Sequence, residues 1–365
     1  MRRVIDEISR IFVGVLFVFS GLIKVNDPYG TAIKLEEYLD VFATDFFPFF
    51  YYLVPFALTF SVIFSVMEVI LGIALLMNFR MRMISWALLL LILFFSFLTF
   101  YSAQFNKVTD CGCFGDAIHF TPWQSFGKDI ILLVFILYIL FRHKHFKEIF
   151  PGRNGDLLMT GATIILIIIA IYSISHLPYV DFRSYKVGTD IAKAMQPSEP
   201  LRYNYTMEKD GQQIVMDEYP EDTTYKFVKM NLINPEAQPE ITDFNIWNDD
   251  GDFTQQVFEG TKLLILLPDV NRARLKHLNE VLALAKAEED NLDVWVITSN
   301  DGTTYEAFRH EHQIPYIYFF ADGTVAKAMI RANPGLILLN SGRVLGKWHN
   351  NDVPDKDVID LLIGK

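Results

Sequence analysis

Cysteine is almost absent from this sequence. Among 365 residues there are two, Cys111 and Cys113, with only Gly112 between them. A chain of this length with one such pair is not a disulfide-stapled scaffold, and any sulfur chemistry belongs to that pair. Charge is also scarce, at 21% of residues against 52% hydrophobic, which excludes an intrinsically disordered chain. Positive charge is in deficit: the formal net charge is −11, and the lysines and arginines are scattered. Such a chain repels phosphate and excludes nucleic acid as a partner. Residues 1–176 carry 13 acidic and 13 basic side chains, whereas residues 177–365 carry 30 and 19, so the whole net charge lies in the second half. The length suggests two or three domains at roughly 100–200 residues each.

The long apolar runs are confined to the first half. A membrane-spanning helix needs about 20 mostly apolar residues. Five candidates appear, at Ile8–Ile23, Leu53–Met77, Met83–Ala103, Phe126–Phe141 and Leu157–Ile174. The first and fourth are short, so their ends are expected to be interfacial. Arg2 and Arg3 precede the first run as in a signal peptide, but no A-x-A-like site follows it, and the run is read as an uncleaved span. Between the first two spans, Thr31–Asp40 has helical spacing, with Leu35, Tyr38 and Leu39 on one face. The aromatic run Phe46–Tyr52 after it is expected at a membrane interface.

Basic residues flank the spans unevenly. Arg2, Arg3 and Arg10, then Arg80 and Arg82, then Arg142, Lys144, Lys147 and Arg153 fall on one side of the bilayer; Lys24, Lys34, Lys107 and Lys128 fall on the other. The richer side is the cytoplasmic one. The N-terminus is then cytoplasmic, and residues 177–365 lie outside, in a bacterium in the periplasm. Cys111 and Cys113 also face outward, into an oxidising compartment where a disulfide persists.

Glu68 interrupts the second span. A carboxyl within a bilayer is expensive and faces a partner or a cavity. It is read either as a proton-handling or ligand-orienting group, or as a protonated carboxyl bonded to a helix-borne Ser or Tyr. Lys24 ends the first span; snorkelling to the surface is the simpler reading for it, and pairing with Asp27 the other. For the cysteines, one intervening residue permits a bridge only in a tight turn, which Gly112 eases. A strained bridge of that kind is labile and oxidising. Lys107, Lys128 and His119 would favour a thiolate, and Asp110 and Asp116 would oppose it. A structural zinc site needs four ligands, and His119 adds one to the pair.

These residues carry a resemblance. Ser20-Gly21-Leu22-Ile23-Lys24-Val25-Asn26-Asp27-Pro28 resembles the first-helix signature of the DoxX-like membrane proteins, and Glu68 with Gly72 resembles their second-helix motif. Asp110-Cys111-Gly112-Cys113-Phe114-Gly115-Asp116, with Trp123 downstream, resembles the methylamine-utilisation MauE branch. The resemblance covers about residues 1–145 and implies a four-helix membrane bundle linked to disulfide formation in periplasmic partners. An analogy extends to vitamin K epoxide reductase-like proteins, in which a cysteine pair beside a helix passes electrons to quinone. Those use two cysteine pairs and this chain has one, which excludes an internal relay; a quinone is the one cofactor the analogy admits.

In the second half, Lys209-Asp210-Gly211 reads as a hairpin turn, because Asp-Gly favours type I′. Asn231–Pro239, with two prolines, reads as a linker. Ile241–Ile246 and Asp249–Asp252 read as a hairpin. Lys262–Leu267 and Leu292–Thr298 read as strands buried on both faces. Asn271–Ala287, Thr303–Gln313 and Pro354–Ile363 read as helices, Tyr316–Ala321 as a short apolar strand, and Leu336–Asn340 with Arg343–Trp348 as a second hairpin. This order resembles the thioredoxin/peroxiredoxin fold over about residues 238–365, with Asn333-Pro334 at that fold's cis-proline. The position of its Cys-x-x-Cys motif holds Asp269-Val270-Asn271-Arg272, so this domain cannot exchange thiols.

The expected architecture is a multidomain membrane protein. A DoxX/MauE-like four-helix transmembrane domain (1–145) is followed by a cytoplasmic loop and fifth span (146–176), a periplasmic β-rich connector (177–237) and a C-terminal α/β thioredoxin-like domain (238–365). The expected function is thiol–disulfide redox chemistry at Cys111 and Cys113 with Glu68 as a third catalytic group. Lys24, Asp27, His119 and Trp123 support them, and Asn333 and Pro334 bind a periplasmic thiol-containing protein. The alternative is a non-enzymatic membrane scaffold for periplasmic proteins. A transporter-like bundle has no broken spans or repeats behind it.

Overall fold

The structure, a computed structural model, describes residues 2–108, 114–118 and 120–365. It divides into two compact units, residues 1–183 and 184–365. The first is helical: α1 (Arg2–Asn26), α2 (Pro28–Asp45), a 3-10 segment (Pro48–Phe56), α3 (Ala57–Leu76), α4 (Met81–Phe105), α5 (Pro122–Arg142) and α6 (Arg153–Ser175). Among the described residues, five helical stretches are long and apolar enough to cross a membrane, α2 not being one of them. The two spans expected to be short run 25 and 24 residues. Largely charged end residues extend the first: Arg2–Glu7 continue α1, and Thr121 caps α5 by accepting from the Gln124 N–H while Gln124 reaches back to the Thr121 N–H. Pro122 at the first helical position suits a helix start.

Backbone contact between α1 and α3 sets the geometry of the bundle. A Cβ at Gly21 would stand 2.8 Å from the Val69 nitrogen and 3.1 Å from the Ser65 carbonyl. A Cβ at Gly72 would stand 2.9 Å from the Gly14 carbonyl. Small residues permit such close approach between membrane helices. Because the obstacles are backbone atoms, Gly21→Val must push the helices apart. We expect a loss of about 1–3 kcal/mol, the usual cost of overpacking, read as a lower thermal midpoint of the detergent-solubilised protein. A midpoint equal to that of the unaltered chain would mean that α1 and α3 do not meet there.

α2 lies alongside α3 rather than continuing as loop. Asp27 caps it, its side chain accepting from the Gly30 N–H, and Pro28 takes the first position. Tyr38 and Phe42 on α2 are buried against Leu98 and Tyr101 of α4, and the Tyr38 hydroxyl lies 2.7 Å from the Ser102 hydroxyl. The aromatic run beyond α2 is largely exposed, including Phe47, Phe49, Tyr51 and Tyr52. Exposed aromatic side chains suit a membrane interface.

The second unit begins with the short α7 (Ile191–Ala194) and a three-stranded antiparallel sheet, β1 (Tyr203–Lys209), β2 (Gln212–Met216) and β3 (Lys226–Leu232), in the order β2-β1-β3. The turn between β1 and β2 has positive φ at both Asp210 (56°) and Gly211 (79°), as a type I′ hairpin requires. The expected linker Asn231–Pro239 starts inside β3. A seven-stranded sheet follows, assembled from β4 (Trp247–Asn248), β5 (Gly251–Asp252), β6 (Thr261–Leu267), β7 (Asp293–Thr298), β8 (Ile317–Phe320), β9 (Gly335–Asn340) and β10 (Arg343–His349). Its order is β10-β9-β6-β7-β8-β4-β5. β6, β7 and β8 are parallel, and β9 and β10 antiparallel. Helices α8 (Leu278–Glu288), α9 (Gly302–Glu311), α10 (Gly323–Met329) and α11 (Lys356–Leu362) complete the unit. Leu263 to Leu267 of β6 are all buried, so the strand is covered on both faces.

Two expectations are corrected, and one helix is added. The segment Ile241–Ile246 is not a strand; it buries Ile241, Phe244 and Ile246, and the hairpin is reduced to β4 and β5. The helix expected from Asn271 begins only at Leu278, after isolated 3-10 turns at Val270–Arg272 and Leu275–His277. The Arg274 N–H donates to the Asn333 carbonyl at 2.9 Å, which takes that donor out of any helix. Helix α10 was not anticipated, although Asp322 caps it by accepting from the Thr324 and Val325 N–H groups.

Candidate functional site

Lys24 and Glu68 meet inside the helical unit. The Lys24 Nζ lies 2.6 Å from Glu68 Oε2, with the two residues 6% and 5% exposed. The expectation that Lys24 snorkels is therefore corrected. The contact of α1 with α3 at Gly21 brings its stem against Glu68, and its ammonium also sits 4.7 Å above the Phe95 ring. Glu68 is thus bonded to a lysine rather than to Ser or Tyr.

A second ion pair stands beside the first, its carboxylate buried and its lysine partly exposed. Lys128 and Asp129 lie two turns into α5, with Lys128 Nζ 2.8 Å from Asp129 Oδ1. Thr99 of α4 donates to Asp129 Oδ2 at 2.9 Å, and Asp129 is 1% exposed. Both pairs line one cavity with about 20 Å³ open to the centre of a water molecule. About 10–15 Å³ on that measure holds one water. The cavity also has Ser20, Phe95 and Phe114 in its wall. Lys128 was expected in a loop; it belongs to a helix, and its Nζ lies 5.3 Å from the centre of the Phe114 ring.

Phe114 directly follows Cys113 in the chain. Cys111, Cys113 and His119 lie outside the described residues. Both flanks of the cysteine segment are tied down. Before it, Val108 is 2% exposed against the α2–α4 cluster, and Lys107 is bonded to Asp45, which also accepts from the Tyr101 hydroxyl. These bonds, that from Lys107 first, hold the Asp45 carboxyl below the usual carboxylate range. After it, Phe114 is buried against Phe19 and Phe120. Trp123 stands exposed in the first turn of α5 on Phe126, outside the cavity wall, and Asp27 serves as the cap of α2.

In the second unit, the Asn333–Pro334 peptide is cis. Asn333 donates through Nδ2 to the Asp269 carbonyl at 2.6 Å, so the cis-proline loop lies against the segment Asp269–Arg272. That segment is a capped 3-10 turn without sulfur, Asp269 accepting from the Asn271 N–H. Pro334 itself is buried, whereas Asn271 and Arg272 are exposed. A peptide approaching this end therefore meets the turn and Asn333 before the proline.

Residues 2–142 match the family model described as methylamine utilisation protein MauE. The helical unit is MauE-like. C-terminal to this unit in sequence, the β6-β7-β8 parallel core, the antiparallel β9-β10 hairpin and the cis-proline make the second unit thioredoxin-like. The chain is 30% identical over 164 residues to Protein TlpB of Flavobacterium psychrophilum, a match covering 44% of this chain and 41% of that protein. The chain thus spans about two fifths of the curated relative it matches. Two solved structures are also similar. A thiol peroxidase from Chromobacterium violaceum is 21% identical, covers 34% of this chain and 83% of its own, and has a TM-score of 0.27. A thioredoxin-like protein from Bacteroides caccae is 11% identical, covers 88% and 86%, and has a TM-score of 0.21.

Sequence reasoning missed the Asp129, Lys128 and Thr99 cluster. Its signal was present: Lys128-Asp129 lies inside the apolar run that begins at Phe126. A charged pair there needed the same question that Glu68 raised.

Proposed function

We propose that this multi-pass membrane protein carries out thiol–disulfide redox chemistry through Cys111 and Cys113. The observation that carries the reading is the polar cavity between two ion pairs whose carboxylates are buried, walled by the residue next to Cys113 in sequence. Desolvated charge in a membrane bundle marks a functional centre, and here it borders Phe114, which follows the chain's only cysteine pair in sequence. The MauE-like character of the helical unit supports the same chemistry, because the family is linked to disulfide formation in periplasmic partners. Glu68, paired with Lys24, is the third reacting group. The side of the bilayer follows from the basic loops: N-terminus cytoplasmic, cysteine loop and second unit periplasmic, in a bacterial inner membrane.

The second unit docks the partner, a periplasmic thiol-containing protein. With no cysteine at 269–272 it contributes shape and hydrogen bonds rather than sulfur. Asn333 and Pro334 form its docking end together with the exposed turn. The Asn333 Oδ1 is a buried acceptor with no hydrogen-bond partner among the described residues. Quinone does not fit the described cavity, which has room for about one water.

Trapping tests this reading. Cys113→Ala and Cys111→Ala each leave one thiol, and one of them should capture a partner as a mixed disulfide that mass spectrometry identifies. In intact cells the same free thiol should react with a membrane-impermeant maleimide. If neither variant forms a mixed disulfide and the maleimide reacts only after lysis, both the redox role and the outward location fall.

A further inference from the structure

We propose that Glu68 and Asp129, with their lysines and the cavity between them, form one proton-handling centre that serves the thiols of Cys111 and Cys113. This rests on the redox reading above and adds a site to it. Every element packed around the cavity sends a polar group into its lining or against a carboxylate there. α1 contributes Ser20 and Lys24, α3 contributes Glu68, α4 contributes Thr99, and α5 contributes Lys128 and Asp129. Glu68 and Asp129 are each more than nine-tenths buried. Asp129 Oδ1 faces Lys128 in an ion pair but makes no hydrogen bond, so it retains an acceptor position inside the bundle. A purely structural ion pair would need neither a second pair beside it nor a water-sized space between them. Breaking even with apolar packing is the usual best for such pairs, so two of them at one cavity call for a use.

The step is an exchange between the reduced cysteine pair and a partner disulfide. One cysteine sulfur gives its proton, by way of a water in the cavity, to a carboxylate of the centre. That sulfur forms an S–S bond with one partner sulfur as the partner's own S–S bond breaks. The leaving partner sulfur takes up the proton. The second cysteine then repeats the sequence, closing the Cys111–Cys113 bond and releasing the other partner thiol. Two electrons pass to the partner and two protons follow them. The opposite direction runs through the same positions. Lys24 and Lys128 hold the counter-charge of the carboxylates, and Thr99 fixes the Asp129 rotamer.

The test uses the full chain in lipid nanodiscs, reduced, with oxidised glutathione as the probe disulfide. The rate of oxidation of the pair is read by alkylation from pH 6 to 8. With an internal proton acceptor the rate should be nearly flat across this range. Asp129→Asn should slow it about 100-fold at pH 6, the low end of what a positioned proton-transfer group supplies. Its rate should then climb about tenfold per pH unit, as for an ordinary thiol whose pKa is near 8.5. Asp129→Glu, which keeps a carboxyl, should recover part of the loss and the flat profile. If Asp129→Asn does not fold, Thr99→Val is read instead and should shift the profile in the same direction. A flat profile and full rate in the variant, with a pair that still oxidises, overturn the centre and leave the redox reading standing. A pair that never oxidises in the unaltered chain overturns both.

Discussion

Lys24→Met should destabilise the helical unit by about 3–5 kcal/mol, the usual cost of removing one partner from a buried ion pair. The size of the effect comes from what remains. Glu68 would keep a carboxyl 5% exposed with its 2.6 Å partner gone. It must then stay ionised without a counter-charge or take a proton inside the bundle, and either course costs free energy. Replacing both residues, Lys24→Met with Glu68→Leu, should restore most of the stability, because an apolar pair of similar volume is often neutral in such a site. The double variant should nonetheless lose activity, since one of the two carboxylates of the proton-handling centre has gone. Thermal unfolding in detergent measures the first effect, and a complementation assay the second. Equal stability of the single and double variants would show that the pair does not hold the helices together. Full activity of the double variant would remove Glu68 from the chemistry.

Cys111→Ala and Cys113→Ala should each lower activity to the level of the variant lacking both. One thiol cannot close an intramolecular bond, so the losses are equal and complete rather than additive. In intact cells the pair should be found in both disulfide and dithiol forms. A single intervening glycine forces a small ring, and strained disulfides are the more readily reduced ones. An oxidising compartment supplies the opposing pressure. Alkylation before and after reduction gives the ratio directly. A pair that remains wholly reduced, or normal function in the chain lacking both cysteines, would leave the scaffold alternative, in which the second unit binds a partner and the loop is only shape.

The spans were legible because their signal is local. Twenty apolar residues in a row mean one thing in water and another in lipid, whatever they pack against. Their ends were less legible: Arg2–Glu7, where four charged residues surround Val4 and Ile5, lengthen α1 beyond its apolar run. The strands β6 and β7 were legible for a similar reason, as continuous apolar runs. The 3-10 breaks at Val270–Arg272 and Leu275–His277 were not, because the Arg274 N–H that leaves the helical pattern bonds to Asn333, about sixty residues further along the chain. Glu68 was recognised as costly from its neighbours in the span. Its partner was not identified, Ser and Tyr being the side chains considered, because α1 and α3 meet through glycines whose facing backbone is invisible in one dimension.

Composition and order by themselves determined that the chain has an apolar, charge-balanced first half and an acidic second half, that its only cysteines are one Cys-Gly-Cys pair, and that its thioredoxin-like unit has no cysteine. Those follow from which atoms are present, and folding cannot alter them. Tertiary structure alone decided that Lys24 faces Glu68, that Asp129 is held by Thr99 and Lys128, and that both pairs border one cavity against Phe114. These groups come from four helices and a loop separated by up to about a hundred residues. A charge buried in a bilayer requires a partner, but only the packing of those helices determines which charge it meets.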